Sequence, residues 1–207
     1  FTGEIHSTEQ WNSDIQTAFF NQNPENLINR FTNTLNNNSI NSLFLNKVYV
    51  LTTGDSASAS ELLINTLKPY IDVIHIGTTT EGKYQGSITL YDSENFQRNG
   101  ANPNHTYAMQ PLVLKLANTI GFTDYSEGLN PDILMSEIPQ NYGVLGNENE
   151  PLLARALSEI SMSNNPIYPN EIVIPFTTSN NFEPFLNEMI IDRKIPQEFI
   201  NRLSFKK

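Results

Sequence analysis

The chain has 207 residues, a net charge of −10 and 38% hydrophobic residues. This length is ample for a folded domain with a core, and the composition is that of a globular protein. Strong acidity without a basic patch argues against nucleic-acid binding through phosphates. The absence of cysteine excludes thiolate metal sites, disulfides and cysteine nucleophiles, and the three histidines show no metal-ligand spacing. We therefore expect neither a metal nor a cofactor.

Residues 1–45 are predicted to be a helical lead-in segment. Apolar side chains recur at helical spacing within residues 8–37, and Pro24 suits the first turn of a helix there. The residues that carry this spacing are Leu27, Ile28, Phe31 and Leu35. The chain also begins abruptly at Phe1, so we expect it to be a fragment of a longer protein or a processed product.

Residues 46–165 are predicted to form an α/β core. Apolar runs at 47–52 and 72–77 are typical of buried strands, and residues 57–68 between them are typical of a helix. This order of strand, helix and strand favours a right-handed βαβ unit with a parallel strand pair.

Further elements are predicted on either side of a long polar loop at 93–106. A strand is expected at 87–91, and residues 107–117 are expected to form a strand or a buried mixed segment. A helix is expected at 150–160 because its apolar residues share one face. The remaining segment, 166–207, is expected to pack on the core. Its strand candidates are 172–174 and 189–191.

The most informative stretch is Ser56-Ala57-Ser58-Ala59-Ser60-Glu61, which lies between the first predicted strand and the helix. A serine hydroxyl becomes a nucleophile when a base takes its proton, and a neutral lysine can be that base. Lys83 is a candidate because Gly82 permits a tight turn that brings its amine inward. At a helix N-terminus, the N–H of Ala59 could stabilise the oxyanion formed by attack of Ser58.

The same residues admit a purely structural interpretation. Ser58 and Glu61 match a capping box, in which both side chains bond free N–H groups of the helix. A lysine in a glycine turn commonly lies in solvent. His75 lies within an apolar strand, which favours a structural histidine over a catalytic base. The residue types alone leave the choice between a cap and a nucleophile open.

The hexapeptide resembles a motif of the S41 peptidase family, the C-terminal processing or tail-specific proteases. The family pattern runs from S/T-A-S-A-S-E to V-G-x-x-T-x-G-K, and the second part matches Gly77, Thr80, Gly82 and Lys83. Lys83 follows Ser58 by 25 positions, which is the spacing in the family. Weaker similarity extends over about residues 45–160. The segments that carry it are 128–133, similar to a later family element, and 86–91 and 149–153, similar to the Bacteroidetes-type branch.

The resemblance implies a role for each residue of the motif. Ser58 would be the nucleophile, Lys83 the general base, Ala59 an oxyanion-hole amide and Glu61 a supporting group. The implied fold is an α/β, ClpP/crotonase-like spiral core. The implied activity is that of a serine endopeptidase that cleaves proteins near their C-termini through an acyl-enzyme, and the implied location is the periplasm or cell envelope.

The sequence departs from the family pattern in ways that bear on function. Some members orient the lysine with a glutamine four residues later; position 87 is serine here, so the nearest glutamine, Gln85, is the predicted supporting residue. The chain lacks the Arg-x-Asn-Gly-Gly-Gly segment, which supplies a second oxyanion amide, and a PDZ-like loop.

We therefore expect an incomplete domain, the second half of a catalytic domain. Its expected partners are protein or peptide substrates, the missing N-terminal half and a PDZ domain, and it need not be active alone. The alternative function is a non-catalytic module on the same fold that binds a peptide or a hydrophobic ligand.

Overall fold

Four sheets and three α-helices build the part of the chain that the structure describes: a parallel three-stranded sheet, a five-stranded sheet and two two-stranded sheets. The structure, a computed structural model, describes residues 1–161 and Met189–Ile190. The helices are α1 (Ser13–Gln22), α2 (Ala59–Leu67) and α3 (Pro151–Ser161), with short 3-10 helices at Pro24–Leu27 and Pro139–Asn141. The strands are β1 (Ile5–Trp11), β2 (Ile28–Arg30), β3 (Thr34–Leu35), β4 (Asn38–Ser39), β5 (Lys47–Thr52), β6 (Asp72–Gly77), β7 (Gln85–Ser87), β8 (Leu90–Tyr91), β9 (Ala108–Met109), β10 (Leu112–Ala117), β11 (Ile133–Leu134) and β12 (Met189–Ile190). The two-stranded sheets are β3-β4 and β8-β9.

The parallel sheet has the strand order β11-β6-β5. β5 and β6 pair from Lys47 opposite Asp72 to Thr52 opposite Gly77. A parallel pair needs a crossover connection, and α2 supplies it. The predicted βαβ unit and the mixed α/β fold class are therefore confirmed.

Helices α2 and α3 cover opposite faces of the parallel sheet. Successive side chains of a strand point to opposite faces, so Val73 and Ile76 of β6 lie on different sides. Ile64 of α2 packs with Val73 on one face, and Leu152 of α3 packs with Ile76 on the other. Full burial of such a side chain stabilises the fold by about 1.5–3 kcal/mol. This packing holds the carboxyl end of β5, where the chain turns into α2.

The five-stranded sheet has the order β12-β7-β10-β1-β2. Its pairs are antiparallel, except that β12 runs parallel to β7. β7 begins two residues after Lys83, so this sheet continues directly from the turn that contains the predicted base.

The prediction that residues 1–45 form a helical lead-in segment is wrong. Residues 8–37 do not form one long helix, because α1 ends at Gln22 and the chain from Ile28 to Arg30 pairs with β1. The Phe31 N–H also donates to the carbonyl of Glu4. Hydrogen bonds with a strand distant in sequence thus override the helical spacing of the apolar residues, and residues 1–45 join the sheet through β1 and β2.

Most other elements lie where the sequence indicated, with two corrections. The strand predicted at 87–91 is split into β7 and β8, which belong to different sheets, and the one at 107–117 is split into β9 and β10. The predicted helix at 150–160 is confirmed as α3. Met189–Ile190 forms a strand as predicted, whereas 172–174 and Ile191 lie outside the described residues.

The described helices include none that is long and apolar enough to cross a membrane.

Candidate active site

Ser58 lies in the turn between β5 and α2. Its backbone dihedrals are φ 60° and ψ −109°, a region that residues with a Cβ rarely occupy and that costs about 1–3 kcal/mol. The side chain is 6% exposed, and its Oγ makes no hydrogen bond. Ser58 and Glu61 have the arrangement of a capping box, but no hydrogen bond satisfies the Ser58 Oγ.

The carboxylate of Glu61 joins the Ser58 turn to the Lys83 turn. It is fully buried, at 0% exposure. Its Oε2 accepts the backbone N–H of Ser58 at 2.8 Å and that of Lys83 at 2.8 Å. Its Oε1 accepts the N–H of Gly82 at 2.6 Å and the hydroxyl of Thr80. Because bonds to a charged acceptor are strong, one side chain fixes the backbones of both predicted dyad residues.

The turn before the predicted base packs backbone against backbone on a neighbouring loop. Gly82 has φ 92°, and a Cβ there would lie 2.3 Å from the carbonyl oxygen of Ser126. Gly128 has φ 84°, and a Cβ there would lie 2.0 Å from the carbonyl oxygen of Thr80. The Leu129 N–H donates to the Thr80 hydroxyl at 2.8 Å. Both glycines are therefore required by backbone conformation and by close approach.

The side chains of the predicted dyad do not share a hydrogen bond in this structure. Lys83 is half-buried, and its amine forms no hydrogen bond or ion pair with the described residues. The Ser58 Oγ is likewise unbonded. Gln85, the predicted supporting residue, begins β7 and pairs with Lys115. No hydrogen bond joins its side chain to Lys83 in the part of the chain described.

The N–H of Ala59, the predicted oxyanion donor, is available at the start of α2. Ala59 is exposed, and its N–H makes no hydrogen bond with residues 1–161. The first N–H groups of a helix have no partner within the helix, and they can donate to a developing oxyanion. The donor therefore lies on the residue after Ser58, at the mouth of the same turn.

Sequence reasoning missed Tyr125, which lies beneath the site. Its ring is 4% exposed and packs with Ile64, one helical turn after Glu61. Burial, followed by the charge of Glu61, raises the pKa of the Tyr125 hydroxyl far above its ordinary value, so the group stays protonated. Thr80 is part of the sequence motif, but the motif does not predict the two hydrogen bonds of its hydroxyl, which donates to Glu61 and accepts the N–H of Leu129.

His75 takes no part in this arrangement. It is fully buried on β6, where its ring Nε2 shares a hydrogen bond with the Thr52 hydroxyl. The backbone N–H of His75 donates to the carboxylate of Asp132. Burial lowers the pKa of the ring, which favours the neutral form. These contacts fit the structural role expected of this histidine.

The comparison with protein families matches residues 3–101 to the model described as peptidase family S41. The matched range contains Ser58, Glu61 and Lys83. Over these residues the chain is similar to peptidase family S41. A structure from Bacteroides fragilis, described as an S41 protease, aligns with a TM-score of 0.58 and 25% identity, over 79% of this chain and 38% of that one.

A second solved structure is the photosystem II D1 C-terminal processing protease, with a TM-score of 0.38 and 22% identity over 62% of this chain and 30% of that one. No curated protein matches the chain. The predicted S41 family and its Bacteroidetes-type branch are confirmed, and a protease function is supported at the level of the family. The chain spans 38% of the length of the Bacteroides fragilis structure.

Proposed function

We propose that this chain carries the nucleophile and the base of a serine peptidase, Ser58 and Lys83. The observation that supports this most is the state of Ser58: a buried, unbonded hydroxyl on a strained turn whose N–H shares the Glu61 carboxylate with Lys83. Backbone strain at a residue other than glycine persists where the surroundings fix it, and it concentrates at functional sites.

The backbone geometry supports this pairing, because it holds the two residues close together. The N–H groups of Ser58 and Lys83 bond the same oxygen, so the two nitrogens lie no further apart than twice a hydrogen-bond length. A lysine side chain is long enough to span that separation. We infer that the dyad hydrogen bond forms by rotation of the Lys83 and Ser58 side chains.

The proposed reaction forms and then hydrolyses an acyl-enzyme. The neutral amine of Lys83 takes the hydroxyl proton of Ser58 as Oγ attacks the peptide carbonyl carbon, and the Ala59 N–H donates to the oxyanion. When the C–N bond breaks, the ammonium of Lys83 protonates the leaving amine. Water then attacks the ester, with Lys83 again as base, and releases Ser58.

Three further parts of the proposal rest on the family resemblance. The substrates would be the C-terminal regions of proteins, and the location would be the periplasm or cell envelope. Because the chain spans 38% of the length of the Bacteroides fragilis structure, the rest of a longer protein would complete the domain. That remainder would supply the second oxyanion amide and a PDZ-like domain.

A non-catalytic module that binds a peptide or hydrophobic ligand is the second candidate. The observation that favours it is the missing hydrogen bond between the Ser58 Oγ and the Lys83 amine. A module of this kind would keep the fold and the buried Glu61 contacts without turning over a substrate.

Labelling with a serine-directed fluorophosphonate distinguishes the two functions in the full-length protein. We expect labelling that Ser58→Ala abolishes and that Ser60→Ala, a change at an exposed serine two residues away, leaves intact. Lys83→Ala should lower kcat for peptide cleavage by about 10²–10⁴-fold, the usual contribution of a general base. Undiminished cleavage by Lys83→Ala would refute the dyad, and peptide binding without labelling would support the binding module.

A further inference from the structure

We propose that Asn99-Gly100 is a site of spontaneous deamidation, in which the side-chain amide of Asn99 is converted to a carboxylate. This modification is independent of the proposed peptidase function. Asparagine is among the chemically labile residues of proteins, and Asn99-Gly100 is the one place in the sequence where glycine follows asparagine. Because glycine has no Cβ, its backbone nitrogen can approach a neighbouring group closely. The dipeptide lies in the polar loop that joins β8 to β9.

The structure leaves both reacting groups exposed and unbonded. Neither the Asn99 amide nor the Gly100 N–H forms a hydrogen bond with the described residues. Gly100 has φ 84° and lies in a tight turn in which the Ala101 N–H donates to the Arg98 carbonyl at 3.2 Å. That hydrogen bond uses neither reacting group, and a Cβ on Gly100 would have nothing within 4 Å of it. The space around the turn therefore leaves the Asn99 side chain free to rotate toward the Gly100 nitrogen.

Two other asparagines show what distinguishes Asn99. The side chain of Asn12 is held as the cap of α1, where its Oδ1 accepts the N–H of Ile15 at 3.0 Å. Asn41 is exposed like Asn99, but it is followed by Ser42, whose Cβ crowds the approach to its backbone nitrogen. Asn99 combines an unbonded, exposed side chain with a glycine neighbour, so we expect it to react faster than either.

The reaction consumes one water molecule and releases one molecule of ammonia. The Gly100 nitrogen gives up its proton and attacks the carbonyl carbon of the Asn99 side chain, so a new C–N bond forms. The bond from that carbon to the side-chain NH₂ then breaks, and the amine takes the proton and leaves as ammonia. Water opens the resulting succinimide ring at one of its two carbonyls. One opening yields aspartate, and the other yields isoaspartate, in which the main chain runs through the side-chain carboxyl carbon.

The loop is closed between this site and the strands, so the modification should leave the fold unchanged. The Asp92 carboxylate accepts the side-chain N–H of Asn102 at 2.9 Å and lies 3.1 Å from the Nε2 of His105. The backbone N–H of Asn102 also donates to the Asp92 carbonyl at 2.8 Å. Residues 93–101 therefore form a loop tip whose two ends are tied together beside β8 and β9. A new negative charge or an extra main-chain methylene in the tip does not remove these hydrogen bonds.

Mass spectrometry of the full-length protein tests the inference. The protein is incubated in neutral or mildly alkaline buffer and then cleaved after lysine, which yields the peptide of residues 84–115. We expect replacement of NH₂ by OH to accumulate severalfold faster at Asn99 than at Asn41, and faster in the alkaline buffer because the Gly100 nitrogen must lose its proton. Gly100→Ala should slow the reaction severalfold. The matched control is Gly121→Ala, at a glycine that has the same φ of 84° and equally open surroundings, and it should leave the rate unchanged.

Three outcomes would contradict the inference. Equal rates at Asn99 and Asn41, or no effect of Gly100→Ala, would show that the glycine neighbour does not direct the reaction. Formation of aspartate without isoaspartate would show direct hydrolysis of the amide without a succinimide. A urea midpoint of Asn99→Asp below that of the unaltered protein would show that the closure at Asp92 does not isolate the loop tip from the strands.

Discussion

The two sheets hold polar side chains in different ways. In the turns that follow strands of the parallel sheet, Ser58 and Lys83 are fixed through their backbones, because both N–H groups bond the fully buried carboxylate of Glu61. On the antiparallel sheet, Lys115 is exposed and is positioned by strand register and by the Tyr84 ring. The two proposed catalytic residues are thus held by buried contacts, whereas Lys115 is held at the surface by its strand and one ring contact. Loss of the buried contacts should lower both stability and activity, whereas loss of the Lys115 side chain should change stability little.

Glu61→Gln should have the largest effect on stability, because it disrupts the buried contacts that hold the turns of Ser58 and Lys83. An amide has one acceptor oxygen, and its NH₂ group would face N–H donors, so buried donors around Glu61 would lose their partner. We expect the free energy of unfolding to fall by about 2–5 kcal/mol, as for unsatisfied buried groups near a former charge. Urea denaturation measures this loss.

The matched changes for Glu61→Gln are Glu25→Gln, at an exposed ion pair, and Lys115→Gln. Both should change the free energy of unfolding by less than about 1 kcal/mol, because exposed pairs and surface residues contribute little. A loss for Lys115→Gln as large as that for Glu61→Gln would show that a surface contact stabilises the five-stranded sheet as much as the buried carboxylate stabilises the turns beside the parallel sheet.

The sequence predicts the parallel sheet better than the antiparallel one, for a physical reason. The apolar runs of β5 and β6 are local patterns, and both strands form where these runs lie. β2 forms because it pairs with β1, and the residues around it have helical spacing, so local pattern alone misleads. The placement of Lys115 beside Gln85 depends on the register of β10 with β7, which no nearby residue encodes.

Gly82→Ala should produce the next largest effect, and Gly121→Ala is its control. Both glycines have a positive φ, 92° and 84°, but a Cβ on Gly82 would meet the Ser126 carbonyl oxygen at 2.3 Å, while nothing lies within 4 Å of one on Gly121. Each variant bears the left-handed conformational cost of about 1–2 kcal/mol. Gly82→Ala should lose about 1–3 kcal/mol more through the clash.

The readouts for the glycine pair are the urea midpoint and fluorophosphonate labelling of Ser58. Labelling should fall in Gly82→Ala, because relief of the clash displaces the turn that carries Lys83 and bonds Glu61. Equal losses of stability in the two variants would show that this turn moves freely away from the loop at Gly128. The proposed rigidity of the dyad backbone would then be wrong.

The smallest expected effect is a pH dependence of stability. It arises from one histidine on each sheet, His75 on β6 and His6 on β1. Burial lowers the pKa of His75 on the parallel sheet below 6.5, and it also lowers the pKa of His6 on β1. Each histidine therefore takes up a proton at a higher pH in the unfolded chain than in the folded protein. The stability is fully present above about pH 6.5 and falls as the pH drops below that value. Urea midpoints at about pH 8 and about pH 5.5 measure the slope.

His75→Gln and His6→Gln assign this slope to one sheet or the other. His75 is fully buried, whereas His6 is half-buried with its ring bonded to Ser7 and Thr66. Removing the more deeply buried ring should remove the larger share of the acid destabilisation, because desolvation is the main cause of both pKa shifts. If His75→Gln loses stability in acid as steeply as the unaltered chain, the sensitivity lies with His6. Acid would then weaken the five-stranded sheet, which contains His6, rather than the parallel sheet beside which Ser58 and Lys83 lie.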